Sequence, residues 1–298
     1  MNNLRRSGVE WPTLALIAGC YAVWFGLVFG GWLPVWLAIL LLVPTFTLHS
    51  SLQHEVIHGH PLPSRFLSAA LVYPPIGLLV PYERFRDQHL HHHLDSRLTD
   101  PYDDPESGYL DPAVWAKLPK VMKFLLHINN SLLGRIVLGP AVGQYAFMAA
   151  DMRAIWRGDL AVAWVWLRHF AMVAALIGVV QLFSALPLWA YIGSAYGGLS
   201  ILKIRTFLEH QAHLRSSGRT VIIEDRGPLS WLFLNNNLHA VHHAHPKLAW
   251  YRLPETYREH RTHFLRRNHG YWYRSYFQVF RAYALRKKEP VPHPLMPE

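Results

Sequence analysis

Two long stretches without any ionisable side chain apart from Cys and Tyr constrain this chain more than any other feature. Residues 11–48 and 170–202 contain no Asp, Glu, Lys, Arg or His. Each stretch exceeds the roughly 20 apolar residues that cross a bilayer once, and the first is too long for one straight helix across about 30 Å of hydrocarbon. We therefore predict two membrane hairpins. The alternative, two buried hairpins of a soluble protein, leaves little polar surface for solvent.

Turn-forming residues divide each stretch into two helices. Gly30-Gly31 marks the first turn and residues 184–187 mark the second. The predicted fold class is an all-α membrane protein with four transmembrane helices in two hairpins and a cytosolic helical cap carrying a metal site. As one domain over residues 1–298, it has spans at about 11–30, 32–52, 162–182 and 187–207, with the cap at 53–160 and 208–298.

Two further apolar regions are not predicted to span. Residues 66–81 are short and broken by Pro74 and Pro75, which favours an interfacial segment. Residues 113–157 alternate apolar and basic positions, which is typical of amphipathic helices at the level of the lipid head groups.

The charge distribution predicts orientation and partners. The chain is 51% hydrophobic yet has a formal charge of +10, and the two far-side turns carry no Lys or Arg. Arg5 and Arg6 precede the first span, so the positive-inside rule predicts cytoplasmic termini. We expect membrane lipids as partners and no nucleic acid. Cys20 is the one cysteine, which excludes an intrachain disulfide and cysteine-based zinc or iron–sulfur sites.

Three histidine clusters follow the apolar stretches. The first is His54-Glu-Val-Ile-His58, whose histidines lie one turn apart on one helical face. The second and third share the pattern His-x-x-His-His. Neutral imidazole is a common metal ligand, so clusters far apart in sequence indicate one centre assembled by folding. The predicted ligands are His54, His58, His89, His92, His93, His210, His239, His242 and His243, with His213 as a weaker candidate. Glu55, Asp95, Glu209 and Asn235 are predicted to orient these ligands, and His91 is predicted to be a bystander.

The ligand count bears on the kind of metal centre. His-Glu-x-x-His alone is the signature of zinc proteases, with Glu55 as the base. One tetrahedral zinc ion takes three protein ligands and a water molecule, which is far fewer than this chain offers. Two metal ions with four or five imidazoles each would use them, and imidazole suits iron, zinc or copper. A non-enzymatic metal-binding or transport protein is a third hypothesis, but it would require ionisable groups inside the spans.

The three clusters, in order and after the predicted spans, resemble the three histidine boxes of the membrane fatty acid desaturase superfamily. The resemblance covers essentially the whole chain, and residues 54–61 and 235–254 look most similar to small bacterial desaturases or hydrocarbon oxygenases, including those of rhizopine-catabolism loci. It implies a non-haem di-iron centre that uses O2 and external electrons to desaturate a lipid or other hydrocarbon-like substrate. Hydroxylation or ketolation of a hydrocarbon or carotenoid is the alternative.

The resemblance also implies ligand assignments, partners and location. It would place His54, His58, His93 and His243 on one iron, and His89, His92, His239 and His242 on the other, with His210 as an additional ligand. We expect a separate electron donor, such as ferredoxin, rubredoxin or cytochrome b5 with its reductase. The implied location is an inner bacterial membrane, with both termini and the active site in the cytoplasm.

Overall fold

The computed structural model describes residues 8–297, so Arg5 and Arg6 lie outside the described part. The chain divides into two compact units, one formed by Met1–Arg86 with Gln144–Ile201 and the other by Asp87–Gly143 with Leu202–Glu298. The helices in chain order are α1 (Trp11–Phe29), α2 (Val35–Ile57), α3 (Arg65–Val72), α4 (Tyr82–His92), α5 (Pro112–Lys117), α6 (Lys120–Asn129), α7 (Leu132–Trp156), α8 (Leu160–Phe183), α9 (Leu188–Thr206), α10 (Pro228–Leu232), α11 (His239–Ala244), α12 (Leu253–Arg267) and α13 (Tyr276–Tyr283). Short 3-10 turns lie at Asp95–Arg97, Ser216–Gly218 and Trp250–Arg252, and the strands β1 (Ile222–Ile223) and β2 (Trp272–Tyr273) pair in parallel.

Four of the described helices, α1, α2, α7 and α8, are long and apolar enough to cross a membrane. The predicted class, a helical membrane protein with four spans and a histidine-rich site, is confirmed. The set differs from the predicted spans, because α7 is included and α9 is not. In α7 the charges lie near the two ends and residues 136–150 are uncharged, whereas α9 carries Lys203 and Arg205 in its last turn.

The first unit is built around the helical hairpin of α1 and α2. Gly31 adopts φ +65° in the turn between them, a conformation that glycine allows at little cost. In the same unit, a Cβ on Gly198 of α9 would lie 2.7 Å from Phe46 Cβ, and Thr47 Oγ1 donates to Gly198 O at 3.0 Å. A small residue therefore allows α9 to pack closely on α2.

A buried carboxylate joins three helices of the first unit. Asp151 of α7 is 2% exposed. It accepts two hydrogen bonds from Arg84 of α4, at 2.8 and 2.7 Å, and one from Trp166 Nε1 of α8 at 2.8 Å. This bidentate pair fixes the start of α4, the helix that continues into the second histidine cluster.

In the second unit, residues 220–223 connect the segment after α9 to α11. Val221 N donates to Glu209 O at 3.1 Å, and Val221 O accepts from Ala240 N at 3.0 Å. A core that includes Ile222, Val241 and Phe264 packs around these contacts. The extended segment therefore holds residue 210 beside the third histidine cluster, although 29 residues separate His210 from His239.

Candidate metal centre

Two short segments supply most of the predicted metal ligands in the second unit. The second cluster lies at the end of α4 and the third forms α11. His89, His92, His239 and His242 are each at most 3% exposed. Buried polar rings at this density require partners, because an unpaired buried donor or acceptor costs about 1–3 kcal/mol.

The imidazoles of His92, His210, His239 and His243 converge and are called here the four-histidine group. One ring nitrogen from each lies within 4.8 Å of the corresponding atom of every other. The closest approaches all join Nε2 atoms: 2.8 Å between His92 and His210, 3.0 Å between His210 and His239, and 3.1 Å between His239 and His243.

A second set in the same unit, called here the three-histidine group, contains His89, His93 and His242. Its Nε2 atoms lie 3.0 Å apart between His89 and His93, and 3.1 Å apart between His93 and His242. All three side chains meet the same 4.8 Å limit among themselves. The unit therefore brings together seven of the nine principal ligands predicted from sequence.

Acceptor side chains fix the outer nitrogen of three of these rings. His92 Nδ1 lies 2.7 Å from Asp104 Oδ1, and His89 Nδ1 lies 2.9 Å from Glu106 Oε1. His239 Nδ1 lies 3.1 Å from the amide oxygen of Asn236. These oxygens can only accept, so each Nδ1 carries a hydrogen, and the Nε2 atom of each ring, with its lone pair when the ring is neutral, faces the other imidazoles.

The inward lone pairs explain why the clusters fit a metal ion. A neutral ring held as the Nδ1–H tautomer presents only a lone pair at Nε2, which can accept a hydrogen bond, as His239 can from His210 at 3.0 Å, or bind a cation. Metal-ligating histidines typically have this arrangement, with one nitrogen on the ion and the other on a carboxylate or carbonyl oxygen. An all-nitrogen donor set suits iron, zinc or copper.

The pKa shifts agree with this interpretation. Burial and the neighbouring His92 and His243 hold the pKa of His210 well below its ordinary value. Burial and the neighbouring His243 and His210 do the same for His239. For His92, burial acts to lower the pKa, but Glu106 and Asp104 outweigh it and raise the pKa to about 9. The carboxylates thus attract positive charge to His92, whereas burial and the neighbouring rings favour the neutral form of His210 and His239.

The first histidine cluster belongs to the other unit. His54 and His58 lie at the end of α2 with their ring centroids 5.0 Å apart, as the spacing of four residues predicts. Glu55 Oε1 lies 3.5 Å from Nε2 of the buried His60, whose Nδ1 lies 2.5 Å from Glu10 Oε2. Glu55 therefore lies beside His60, which in turn contacts the carboxylate of Glu10.

Three other residues named from the sequence are His213, His91 and Asp95. His213 Nδ1 accepts from Arg215 N at 3.1 Å, and its ring stacks on His269 at 4.8 Å, outside both histidine groups. His91 is exposed and faces Arg97. Asp95 lies in a 3-10 turn, and its side chain is outside the described part.

Two predicted orienting residues have different positions. Glu209 Oε1 lies 3.7 Å from His239 Nδ1 and 3.0 Å from Arg205 Nε, so it is adjacent to the four-histidine group. Asn235 instead adopts φ +58° and its amide donates to Trp250 O at 3.1 Å. The neighbouring Asn236 is the residue that contacts His239. The position of Asn236, three residues before His239, is the sequence feature from which this contact could have been predicted.

The grouping also differs from the one that the resemblance implies. The structure places His89 with His93 and His242, and places His92 with His239 and His243. The reason is helical geometry. Residues i and i+4, such as His89 and His93, share a face of the helix, whereas residue i+3, here His92, is turned by about 100° from residue i+4.

Comparison with known proteins agrees with the site. A model of the fatty acid desaturase family matches residues 30–275, a range that includes all three histidine clusters. No curated protein matches the chain. Because the match covers most of the sequence, and the apolar helices and converging imidazoles accompany it, the chain belongs to the fatty acid desaturase family and is an oxidoreductase of the membrane desaturase and oxygenase type.

Proposed function

We propose that this protein is a di-iron enzyme that uses O2 and electrons from a separate donor to desaturate a lipid or other hydrocarbon-like substrate. The observation that carries the proposal is the convergence of inward Nε2 atoms at 2.8–3.1 Å in the four-histidine group. Such a site is suited to bind a cation through neutral nitrogen donors, and the family favours iron among the metals that imidazole accepts.

The proposed ligands fall into two sets. His92, His210, His239 and His243 would hold one iron. The other iron would be held by the three-histidine group together with His54 and His58, whose assignment is supported by their spacing and by the family's first histidine box. When bound, the irons would supply the reduction of O2 and the oxidation of a C–H bond.

The protein's own residues position this chemistry. Asp104 and Glu106 accept the Nδ1 hydrogens of His92 and His89, which fixes the ring orientation before a metal arrives. Burial of the rings excludes water from the nitrogen donors. A substrate chain must then be held with one carbon beside the centre, since positioning is the main contribution that a protein makes to cofactor chemistry.

We further propose the setting in which the enzyme works. A small redox protein, such as ferredoxin, rubredoxin or cytochrome b5 with its reductase, would supply the electrons. The net charge of +10 favours an acidic donor. The proposed location is the inner membrane of a bacterium, with the histidine clusters on the cytoplasmic side.

Elemental analysis of the detergent-purified chain tests the metal. We expect about two irons per chain after expression with iron and zinc present, or after anaerobic reconstitution with iron. His242→Ala should lose iron and turnover, whereas His91→Ala, which removes an exposed histidine from the second cluster, should retain both. Feeding lipids and analysing the products by mass spectrometry then separates an alkene from an alcohol or ketone.

The zinc protease hypothesis predicts a different outcome. It expects one zinc per chain, an essential Glu55, and full activity when His242 is replaced. It also gives no role to the four imidazoles that converge in the second unit. One zinc after iron reconstitution, together with an active His242→Ala variant, would overturn the di-iron proposal.

A further inference from the structure

Three polar side chains of α2 line a narrow cavity in the first unit. They are His49, Ser50 and Gln53, called here the polar wall, and they lie within about 100° of arc on one side of the helix. His49 is 3% exposed and Gln53 is 8% exposed. Because α2 is long and apolar enough to cross a membrane, an ionisable group such as His49 is costly there and marks a candidate functional position.

The remaining walls of the cavity are mainly apolar. They include Ala195 and Leu199 of α9, Phe46 of α2 and residues 77–80. The cavity contains about 410 Å³ of empty space up to its open mouth, of which about 40 Å³ is wide enough for the centre of a water molecule. A narrow space with apolar walls and a few polar groups is typical of sites that bind a largely apolar ligand in one orientation.

The polar wall has unused hydrogen-bonding capacity. His49 Nε2 lies 3.1 Å from the hydroxyl oxygen of Tyr21, and Gln53 Nε2 donates to Val72 O at 3.1 Å. Within residues 8–297, no hydrogen bond is formed by His49 Nδ1, Gln53 Oε1 or the Ser50 hydroxyl. Buried polar atoms are nearly always paired with protein, water or ligand. We therefore expect the cavity to hold a hydrogen-bonding partner for these atoms.

Other hydroxyl groups of α2 are satisfied within the helix. Thr45, Thr47 and Ser51 each donate to the carbonyl oxygen four residues earlier, at 2.8, 3.0 and 3.1 Å. Such a bond is a common solution for a hydroxyl inside a helix. These three residues do not line the cavity. In the part of the chain that the structure describes, Ser50 forms no such bond, so its hydroxyl remains available to a ligand at the cavity.

The polar wall lies one helical turn before the first histidine cluster. Ser50 and His54 are four residues apart on α2, so they share a face and are separated by about 6 Å along the helix axis. A group held at the polar wall would therefore fix how far a bound chain extends towards His54. Fixing that distance would determine which carbon of the chain is placed for oxidation.

We propose that His49, Ser50 and Gln53 form a specificity subsite for an uncharged oxygen group, a hydroxyl or a carbonyl, carried within the hydrocarbon chain of the substrate. Either oxygen can accept from the Ser50 hydroxyl, and a hydroxyl can also donate to Gln53 Oε1. His49 Nδ1 donates when Tyr21 donates to Nε2, and accepts in the other tautomer. This inference rests on the proposed function for the identity of the ligand as substrate, but binding itself needs neither metal nor turnover.

Equilibrium binding to the full chain in a non-ionic detergent tests the subsite. The probes are radiolabelled methyl stearate and two series of its derivatives, which carry a ketone or a hydroxyl at successive positions along the chain. All probes have the same neutral ester end, so only the internal oxygen differs. We expect affinity to peak at one position or two adjacent positions, about 3–10-fold above methyl stearate, because one uncharged hydrogen bond contributes a factor of this order.

Matched variants assign the peak to the polar wall. His49→Phe keeps an aromatic ring but removes both nitrogens, and Ser50→Ala removes only the hydroxyl. Each should lower the peak about threefold or more and bind methyl stearate as the parent does. Ser51→Ala makes the same chemical change one residue away from Ser50, outside the cavity lining, and should retain the peak. Metal content equal to that of the parent shows that a variant folds, and Ser50→Ala decides the test if His49→Phe does not fold.

The outcomes distinguish the ligand chemistry and the two proposals. A peak only in the ketone series assigns a carbonyl, and a peak only in the hydroxyl series assigns an alcohol. Affinity that does not depend on the position of the oxygen overturns the subsite and assigns the polar wall to bound water. A peak that persists in both His49→Phe and Ser50→Ala also overturns it. A chain that binds iron but shows no peak contradicts this inference alone, whereas a peak in a chain that takes up no iron contradicts the proposed function instead.

Discussion

The contact between Asp104 and His92 gives the sharpest prediction about the metal centre. Asp104 Oδ1 accepts from His92 Nδ1 at 2.7 Å, and Oδ2 accepts from the backbone nitrogen of Thr99 at 2.8 Å. Asp104→Asn keeps the shape but provides only one acceptor oxygen. If that oxygen faces His92, the new amide faces the N–H of Thr99, and if the amide is flipped, His92 loses its acceptor. The flipped amide also removes the acceptor of the backbone nitrogen of Glu106, which donates to Oδ1 at 2.9 Å. Either orientation therefore leaves at least one donor without its partner.

The magnitude follows from that loss. Leaving a buried donor unsatisfied costs about 1–3 kcal/mol, and removing the partner of a metal-ligating histidine typically weakens metal binding about 10–100-fold. Titration with Co2+, a redox-stable probe, in competition with a chelator should therefore show one of two bound ions weakened by about 10–100-fold. The other ion should bind with near-parent affinity.

A matched variant makes the result interpretable. Asp103→Asn makes the same chemical change at an exposed position one residue away, and it should bind both ions as the parent does. Parent-like titration of Asp104→Asn would refute the argument that this carboxylate orients a ligand. Equal weakening of both ions would refute the separation into two histidine groups.

Three further predictions concern the ligands, pH and stability. His210→Ala should lose one of two metals by elemental analysis whereas His213→Ala retains both, and equal metal content in the two variants would contradict the grouping. The pKa of His92, about 9, lies above its ordinary value of about 6.5. Its proton therefore stabilises the metal-free fold fully below about pH 6.5, and that contribution is lost as the pH rises through about 9. Since a metal must displace this proton, affinity for Co2+ should rise by up to about tenfold per pH unit between about pH 6.5 and 9, and an affinity that does not change with pH would contradict this prediction. Asp151→Ala should lower the free energy of unfolding in mixed micelles by about 3 kcal/mol, because it breaks a buried bidentate ion pair, while Arg153→Ala on the same helix should change it by no more than about 0.5 kcal/mol.

Membrane architecture was largely predictable because its signal is the absence of charge. Residues 11–48 gave the hairpin of α1 and α2, and the turn at Gly31 follows from glycine's tolerance of positive φ. α7 was harder to assign, because Arg135 and Arg153 lie near its ends and a count of basic residues suggested an amphipathic helix. What matters for a span is where the charges lie, and 136–150 is free of them.

The site was predictable in its ligands but not in its support. Histidine spacing is local and visible, whereas the contacts of His89 and His92 with Glu106 and Asp104 depend on how the loop after α4 folds back over 17 and 12 residues. Acidic residues in that loop gave a general indication without identifying which of them make contact. The choice between Asn235 and Asn236 depended on a backbone conformation, φ +58° at Asn235, that sequence patterns do not specify.

The repeated pattern His-x-x-His-His has a geometric consequence that connects the two groups. On a helix the first and last histidines of the pattern are about 40° apart around the axis, and the middle one is turned by about 100° from the last. In the second cluster the pair His89 and His93 joins the three-histidine group, while His92 joins the other. In the third cluster the pair His239 and His243 joins the four-histidine group, while His242 joins the three-histidine group. Each segment thus contributes two ligands to one set and one to the other in a reciprocal way. A shift of either segment would disturb both sets at once, so the motif itself couples the two proposed metal positions.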